Sequence, residues 1–157
     1  MKILVQTVAL CMILGACKSS SGSTSGSTSQ PEVAEKQPES ITEKYWKLVE
    51  LNGKPVVLDE TGKGAFIILK SEENRVNGSG GCNTLTGTYQ LDADVQRIRF
   101  SQMVSTQMAC LNMEVENEMK QALEMADNYA VSPDGKNLFL NRARMAPLAK
   151  FEVVYLK

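Results

Sequence analysis

The sequence predicts an α+β domain: a compact, mainly antiparallel β-sheet that is highly twisted and barrel-like, with one packed α-helix. Two patterns lead to this fold class. Short segments that alternate apolar and polar residues recur between turn residues, as half-buried strands do. A single later segment carries its apolar residues at helical spacing. The chain has 157 residues, which is room for one such domain.

The predicted sheet begins with residues 46–51, which alternate apolar and polar residues. Asn52-Gly53 follows, which is the strongest short signal for a hairpin turn, and residues 55–58 return. Residues 59–64 are predicted to form a loop. Further strands are predicted at residues 65–69, 75–78, 88–91, 96–100, 129–131, 137–140 and 151–156.

One helix interrupts the predicted strands between residues 112 and 127. Asn112 is a suitable N-cap, and acidic residues follow it at the positive end of the helix dipole. We expect the carboxylates of the helix to form a solvated face, which comprises Glu114, Glu116, Glu118 and Glu124. The opposite, apolar face comprises Val115, Met119, Ala122, Leu123 and Ala126.

The first residues carry an export signal. A short positive start precedes an apolar run over residues 3–14, which is too brief to span a bilayer. Leu14-Gly15-Ala16-Cys17 matches the bacterial lipobox, which directs cleavage before the cysteine and its lipidation. We therefore predict a lipoprotein signal peptide at residues 1–16 and a membrane anchor of acyl chains such as palmitate on Cys17. The alternative is an ordinary signal peptide with an incidental cysteine.

Residues 17–40 are predicted to form a disordered tether, because residues 19–29 contain only Ser, Gly and Thr. The folded domain is then expected at residues 41–157.

Cysteine usage indicates one disulfide. Of the four cysteines, Cys11 leaves with the signal peptide and Cys17 takes the lipid. Cys82 and Cys110 remain, and two thiols in an oxidising compartment most simply form a disulfide. The alternatives are a reactive redox pair or a metal site, although no Cys-x-x-Cys spacing is present.

Composition excludes several kinds of chemistry. The chain has no histidine, which removes histidine bases, Ser-His-Asp and Cys-His pairs, and His-ligated zinc. The formal net charge is −1, so nothing points to a nucleic-acid partner. We expect neither an enzyme nor a cofactor.

Five motifs together resemble the META/HslJ-like domain family. They are Trp46-x-Leu48, Gly80-Gly81-Cys82-Asn83-x-x-x-Gly87-x-Tyr89, Thr106-x-Met108-Ala109-Cys110, Glu116-x-x-Met119-x-x-x-Leu123 and Leu138-x-Leu140. The resemblance covers residues 41–157. It implies a mainly antiparallel β domain with a packed helix, usually exported and often lipid-anchored in bacteria. Members are linked to heat-shock response and antibiotic resistance, and no biochemical activity is established for the domain.

The glycine-rich stretch could in principle hold a phosphate, but it lacks the Lys-[Ser/Thr] ending of a P-loop. We expect Gly78, Gly80 and Gly81 to permit positive φ angles and close backbone approach beside Cys82. Asn83 is expected to bind backbone groups of the turn. The motif is therefore predicted to be structural.

Methionines are frequent in the second half of the chain, at positions 103, 108, 113, 119 and 125. Thioethers suit copper(I), so copper handling through Cys82, Cys110 and methionines is an alternative function. Methionine is also a common core filler, and no tight Met-x-x-Met spacing occurs.

The predicted function is that of a lipid-anchored envelope protein acting as a non-enzymatic binding, stress-response or envelope-integrity module. We expect a monomer that binds the membrane through Cys17 and has an envelope protein or the cell wall as its partner. Lys18 stands where aspartate is associated with inner-membrane retention, which favours the outer membrane; the face, periplasmic or external, is left open.

Overall fold

The structure is a computed structural model that describes residues 40–57, 64–109 and 113–155. Besides a short 3-10 turn at Glu72–Asn74, these residues form ten elements. They are β1 (Tyr45–Leu51), β2 (Lys54–Pro55), β3 (Phe66–Lys70), β4 (Arg75–Ser79), β5 (Thr84–Asp92), β6 (Arg97–Ser105), α1 (Glu114–Met125), β7 (Asn128–Val131), β8 (Asn137–Asn141) and β9 (Ala149–Val154).

The strands form one antiparallel sheet that closes on itself. Their order is β2-β1-β3-β4-β5-β6-β7-β8-β9, and β1 also pairs with β9, from Tyr45 opposite Val154 to Leu51 opposite Ala149. The ladder between β6 and β7 is a single pair, Arg97 opposite Asn128. α1 connects these two strands and packs against β6. The predicted fold class, a twisted and barrel-like antiparallel sheet with one helix, is confirmed.

The hairpin signal at Asn52-Gly53 is confirmed. Asn52 has a φ of 49° and Gly53 a φ of 77°, as a turn with two left-handed residues requires. Glu50 then faces Pro55, and Leu51 faces Lys54. The returning strand is shorter than predicted, because β2 contains two residues. Most of the predicted loop that follows lies outside the described residues.

Inward-facing side chains fill the closed sheet. Alternate residues of the strands are buried, including Trp46, Ile67 and Leu85, each with 0% exposure. A sheet of about eight strands leaves an interior just wide enough for side chains. The indole Nε1 of Trp46 donates a hydrogen bond to the carbonyl of Ile41 at 2.8 Å, so the ring's polar group is satisfied inside the core.

α1 presents its predicted apolar face to this core. Met119, Ala122, Leu123 and Ala126 are buried, and Val115 packs against the cluster. The boundaries differ from the prediction, because the helix begins at Glu114 and ends at Met125. Its N-cap position is held by Met113 without a side-chain hydrogen bond, and Asn112 lies outside the described residues. No helix within the described part of the chain is long and apolar enough to cross a membrane.

β5 and β6 are longer than predicted. β5 starts at Thr84 and β6 continues to Ser105. The pairing between them shifts register between Thr86 and Thr88, and Gln102 has a φ of 53°. These irregularities interrupt the alternation from which strands are recognised, so the sequence pattern marked only part of each strand.

Candidate functional site

The Gly-Cys-Asn motif forms the loop between β4 and β5. The N–H of Gly80 donates to the carbonyl of Asn83 at 3.1 Å, which closes the turn. The N–H of Gly81 donates to Oγ of Ser79 at 3.1 Å. Gly81 has a φ of 107°, a conformation that side-chain-bearing residues rarely adopt. Position 81 therefore requires glycine because of its backbone conformation.

Asn83 is the centre of this loop and is fully buried. Its Oδ1 accepts hydrogen bonds from Oγ1 of Thr106 and from the N–H of Met108, both at 2.8 Å. Its Nδ2 lies 3.8 Å from Sδ of Met113. One side chain thus joins the start of β5, the segment after β6 and the entry to α1. We call this set of contacts the Asn83 hub.

Glu116 belongs to the same hub, and its predicted place on a solvated helix face is wrong. The residue is only 3% exposed, and its Oε2 accepts a hydrogen bond from the N–H of Asn83 at 2.8 Å. Gly80 lies against it: a Cβ added to Gly80 would overlap Cγ of Glu116 and lie 2.7 Å from its Cβ. Gly80 therefore provides the space in which the loop packs onto α1.

The remaining motif residues lie along the two strands that leave the hub. Gly87 stands at the register shift between β5 and β6. Tyr89 is 3% exposed, and its hydroxyl donates to the carbonyl of Lys70 at 3.1 Å. Burial raises the pKa of Tyr89. Oγ1 of Thr106, which donates to Asn83, also accepts a hydrogen bond from the N–H of Thr84 at 3.2 Å. The motif thus fastens neighbouring strand ends together.

This arrangement matches a known domain family. A family model described as the META domain matches residues 39–155. The chain belongs to the META domain family. Curated proteins provide no significant match.

Solved structures share the fold of this META domain at low sequence identity. A solution NMR structure is 21% identical, with a TM-score of 0.56 over 74% of this chain and 93% of its own. An NMR structure of a protein from Burkholderia xenovorans is 19% identical, with a TM-score of 0.58 over 73% of this chain and 83% of its own. Both likenesses concern the fold alone.

The methionines of the META domain occupy different surroundings among the described residues. Met103 and Met119 are buried in the core, and Sδ of Met125 lies 3.8 Å from Nη1 of Arg142. Within the described ranges, no group of three or more His, Cys, Asp or Glu residues could hold a metal ion. The burial of Met103 and Met119 fits the role of core filler.

The predicted disulfide falls partly outside the described residues, because Cys110 is not among them, and neither is Cys17. Sγ of Cys82 lies 3.9 Å from the carbonyl oxygen of Met108, which is two residues before Cys110. The loop that carries Cys82 is thus close to the segment that leads to Cys110. The pairing itself and the lipidation of Cys17 stay predictions.

Two carboxylates with lowered pKa values, the exposed Glu43 and the half-buried Asp127, hold loops. Glu43 binds Nζ of Lys70 at 2.8 Å and the N–H of Ser71 at 2.7 Å. The hydrogen bond from Lys70 is the main cause that lowers the pKa of Glu43, followed by the one from Ser71. The N–H of Ala143, 2.8 Å from Asp127, is the main cause that lowers the pKa of Asp127. Neither carboxylate lies in a cleft with a nucleophile, so both are structural.

A shallow groove of about 150 Å³ lies between the β1–β2 hairpin and α1. Apolar side chains, two carboxylates and one lysine line it. The lining residues are Leu51, Lys54, Pro55, Val56, Val57, Glu114, Val115 and Glu118. Ligand sites of enzymes usually enclose several hundred Å³ and direct polar groups inward. This groove offers neither, so it has the character of a surface contact rather than an active site.

Proposed function

We propose that this chain is a lipid-anchored bacterial envelope protein whose META domain acts as a non-enzymatic binding or stress-response module. The mature protein begins at Cys17, carries acyl chains there, and holds the domain away from the membrane on the tether of residues 17–40. The outer membrane is the proposed location. The domain works as a monomer, with an envelope protein or the cell wall as its partner.

The non-enzymatic role in this proposal is supported by the Asn83 hub, whose polar groups are occupied by hydrogen bonds within the domain. The residue types most suggestive of chemistry, Asn83, Glu116 and Thr106, bind one another and nearby backbone groups. No buried side-chain nitrogen or oxygen in the described ranges lacks a hydrogen-bond partner. A catalytic group needs a free lone pair or proton directed at a substrate. The hub uses its groups for the fold instead.

The lipobox supports the anchored location, since Leu14-Gly15-Ala16-Cys17 follows an apolar run of signal-peptide length. The proposal is tested by membrane fractionation of the full-length protein and of Cys17→Ala after labelling with radioactive palmitate. We expect label and membrane association in the wild-type protein and the loss of both in the variant. Label that persists in Cys17→Ala would contradict the anchor.

Crosslinking of the wild-type protein in its own envelope tests the binding role. We expect a specific set of crosslinked products that the soluble Cys17→Ala variant does not form, because the anchor raises the local concentration of envelope partners. Turnover of a small-molecule substrate by the purified protein would contradict the non-enzymatic proposal.

Copper(I) handling through Cys82, Cys110 and methionines, the alternative function, requires both thiols in the reduced state, since a disulfide cannot ligate copper(I) as thiolate. Thiol counting on the native protein tests it: thiols that appear only after reduction would exclude copper handling.

A further inference from the structure

One contact of the Asn83 hub differs from the others, because it joins the amide nitrogen of Asn83 to a sulfur atom. Nδ2 of Asn83 lies 3.8 Å from Sδ of Met113, whereas Oδ1 of the same side chain accepts two hydrogen bonds at 2.8 Å. One of those two donors is the backbone N–H of Met108, which can only donate. The end of the amide that meets Met108 is therefore the oxygen, and the end that meets Met113 is the nitrogen.

This nitrogen is poorly supplied with acceptors for a buried group. Asn83 is 0% exposed, and within the described residues Met113 is the one hydrogen-bond partner of its Nδ2. The amide nitrogen carries two donor hydrogens, while a thioether sulfur is only a weak acceptor. A buried donor held in this way forgoes part of the free energy that a full hydrogen bond contributes. An oxygen atom bonded to Sδ of Met113 would supply the missing acceptor.

The distance between the two side chains suits a methionine sulfoxide. An S–O bond of about 1.5 Å and an N–H···O hydrogen bond of about 2.9 Å, meeting at about 120° at the oxygen, place the sulfur about 3.9 Å from the nitrogen. The distance from Sδ of Met113 to Nδ2 of Asn83 is 3.8 Å. Oxidation of Met113 therefore adds an acceptor without requiring the loop or α1 to move.

Met113 is half-buried at the N-cap position of α1. We propose that it is a modification site at which a hydroperoxide converts the thioether to a sulfoxide, whose oxygen accepts a hydrogen bond from Nδ2 of Asn83. A sulfur lone pair attacks the terminal peroxide oxygen, and the O–O bond breaks as the S–O bond forms. The departing oxygen keeps the electron pair of the O–O bond and takes up the proton, giving an alcohol or water. The sulfur is thus oxidised by two electrons and the peroxide reduced by two.

The surroundings of Met113 give its oxidation an unusual effect. Methionine sulfoxide normally disrupts a protein core because it is polar, and Met103 and Met119, which are 8% and 0% exposed, fit that pattern. Sδ of Met125 also lies 3.8 Å from a donor, Nη1 of Arg142, but Arg142 is exposed and water serves its donors equally well. At Met113 the new oxygen meets a buried donor instead, so oxidation stabilises the hub. This inference goes beyond the proposed envelope function and does not depend on the lipid anchor.

The test treats the full-length protein in detergent with hydrogen peroxide and locates the sulfoxides by tandem mass spectrometry. Urea denaturation, followed by Trp46 fluorescence, then compares treated with untreated samples of the wild-type protein, Met113→Leu and the matched control Met125→Leu. We expect treatment to stabilise the wild-type protein relative to its effect on Met113→Leu, by about fivefold in the unfolding equilibrium constant, or about 1 kcal/mol. Met125→Leu should respond as the wild-type protein does.

A second measurement follows the side-chain amide of Asn83 by NMR. On oxidation we expect its N–H signal to move downfield and its exchange with solvent to slow, because an oxygen replaces the sulfur as acceptor. Three results would overturn the inference: no sulfoxide at Met113, an unchanged Asn83 amide signal in oxidised protein, or an equal response of the wild-type protein and Met113→Leu to treatment. The palmitate labelling and the envelope crosslinks test the proposed function separately, so either can fail without the other.

Discussion

Removal of the Asn83 side chain tests whether the hub stabilises the fold. Asn83→Ala deletes the acceptor for the Thr106 hydroxyl and the Met108 N–H. Each such bond contributes about 1 kcal/mol net. Thr106 and Met108 are themselves exposed, so water can replace part of what they lose. The deleted buried atoms leave a small cavity. We therefore expect a loss of about 2–3 kcal/mol in the free energy of unfolding.

Urea denaturation measures this loss through the fluorescence of Trp46, which is the chain's single tryptophan and is fully buried. The control is Asn77→Ala, an exposed asparagine in β4, for which a change within about 0.5 kcal/mol is expected. A double-mutant cycle with Thr106→Ala should give a coupling of about 1 kcal/mol. If Asn83→Ala lowers the free energy of unfolding no more than Asn77→Ala does, or if the coupling energy is zero, the hydrogen bonds of the hub do not stabilise the fold.

Three further perturbations are expected to give measurable changes. Gly80→Ala should lower the free energy of unfolding by about 2–3 kcal/mol, because the added methyl group would overlap the buried side chain of Glu116. Gly53→Ala is strained only by its positive φ and should lower it by about 1 kcal/mol. Equal losses for the two variants in urea denaturation would contradict the overlap. Because the folded pKa of Glu43 is lowered, its contribution to stability is present above its unfolded pKa and is lost as pH falls through the folded pKa. Glu43→Gln should therefore destabilise the protein at neutral pH and have no effect in strong acid, and a pH-independent difference would refute this. Finally, if Cys82 pairs with Cys110, non-reduced protein should be lighter by about two hydrogens in mass spectrometry, and reduction should lower stability by about 3–4 kcal/mol for a loop of about 28 residues.

Local signals predicted most of the elements. Asn52-Gly53 encodes its turn through two residues that tolerate positive φ, and the spacing of Met119, Ala122 and Leu123 places one face of α1 in the core. Such features depend on nearby residues only, so a single sequence contains them. The closure of the sheet between β1 and β9 depends on residues far apart, and the alternation of either strand alone does not encode it.

Glu116 shows why part of the site was missed. Its position three residues before Met119 and seven before Leu123 places it on the apolar stripe of α1, so the spacing did carry the signal. The prediction gave more weight to residue type, since carboxylates are seldom fully buried. Glu116 is buried nevertheless, because its carboxylate accepts a hydrogen bond from the backbone N–H of Asn83, 33 residues away. The identity of such a distant donor is set by tertiary structure, and the pattern around residue 116 does not contain it.

The closure of the sheet also constrains the order in which the domain can form. β1 is made first and β9 last, yet the two are hydrogen-bonded neighbours. A chain that emerges from its N-terminus must extend by about 100 residues before β1 meets this partner, and such long-range pairing slows folding. Until then β1 and β8 each keep an unpaired edge, which is the surface on which strands of different molecules associate. Loss of β9, Ala149–Val154, would leave that state permanent, so this strand controls both completion of the fold and resistance to aggregation.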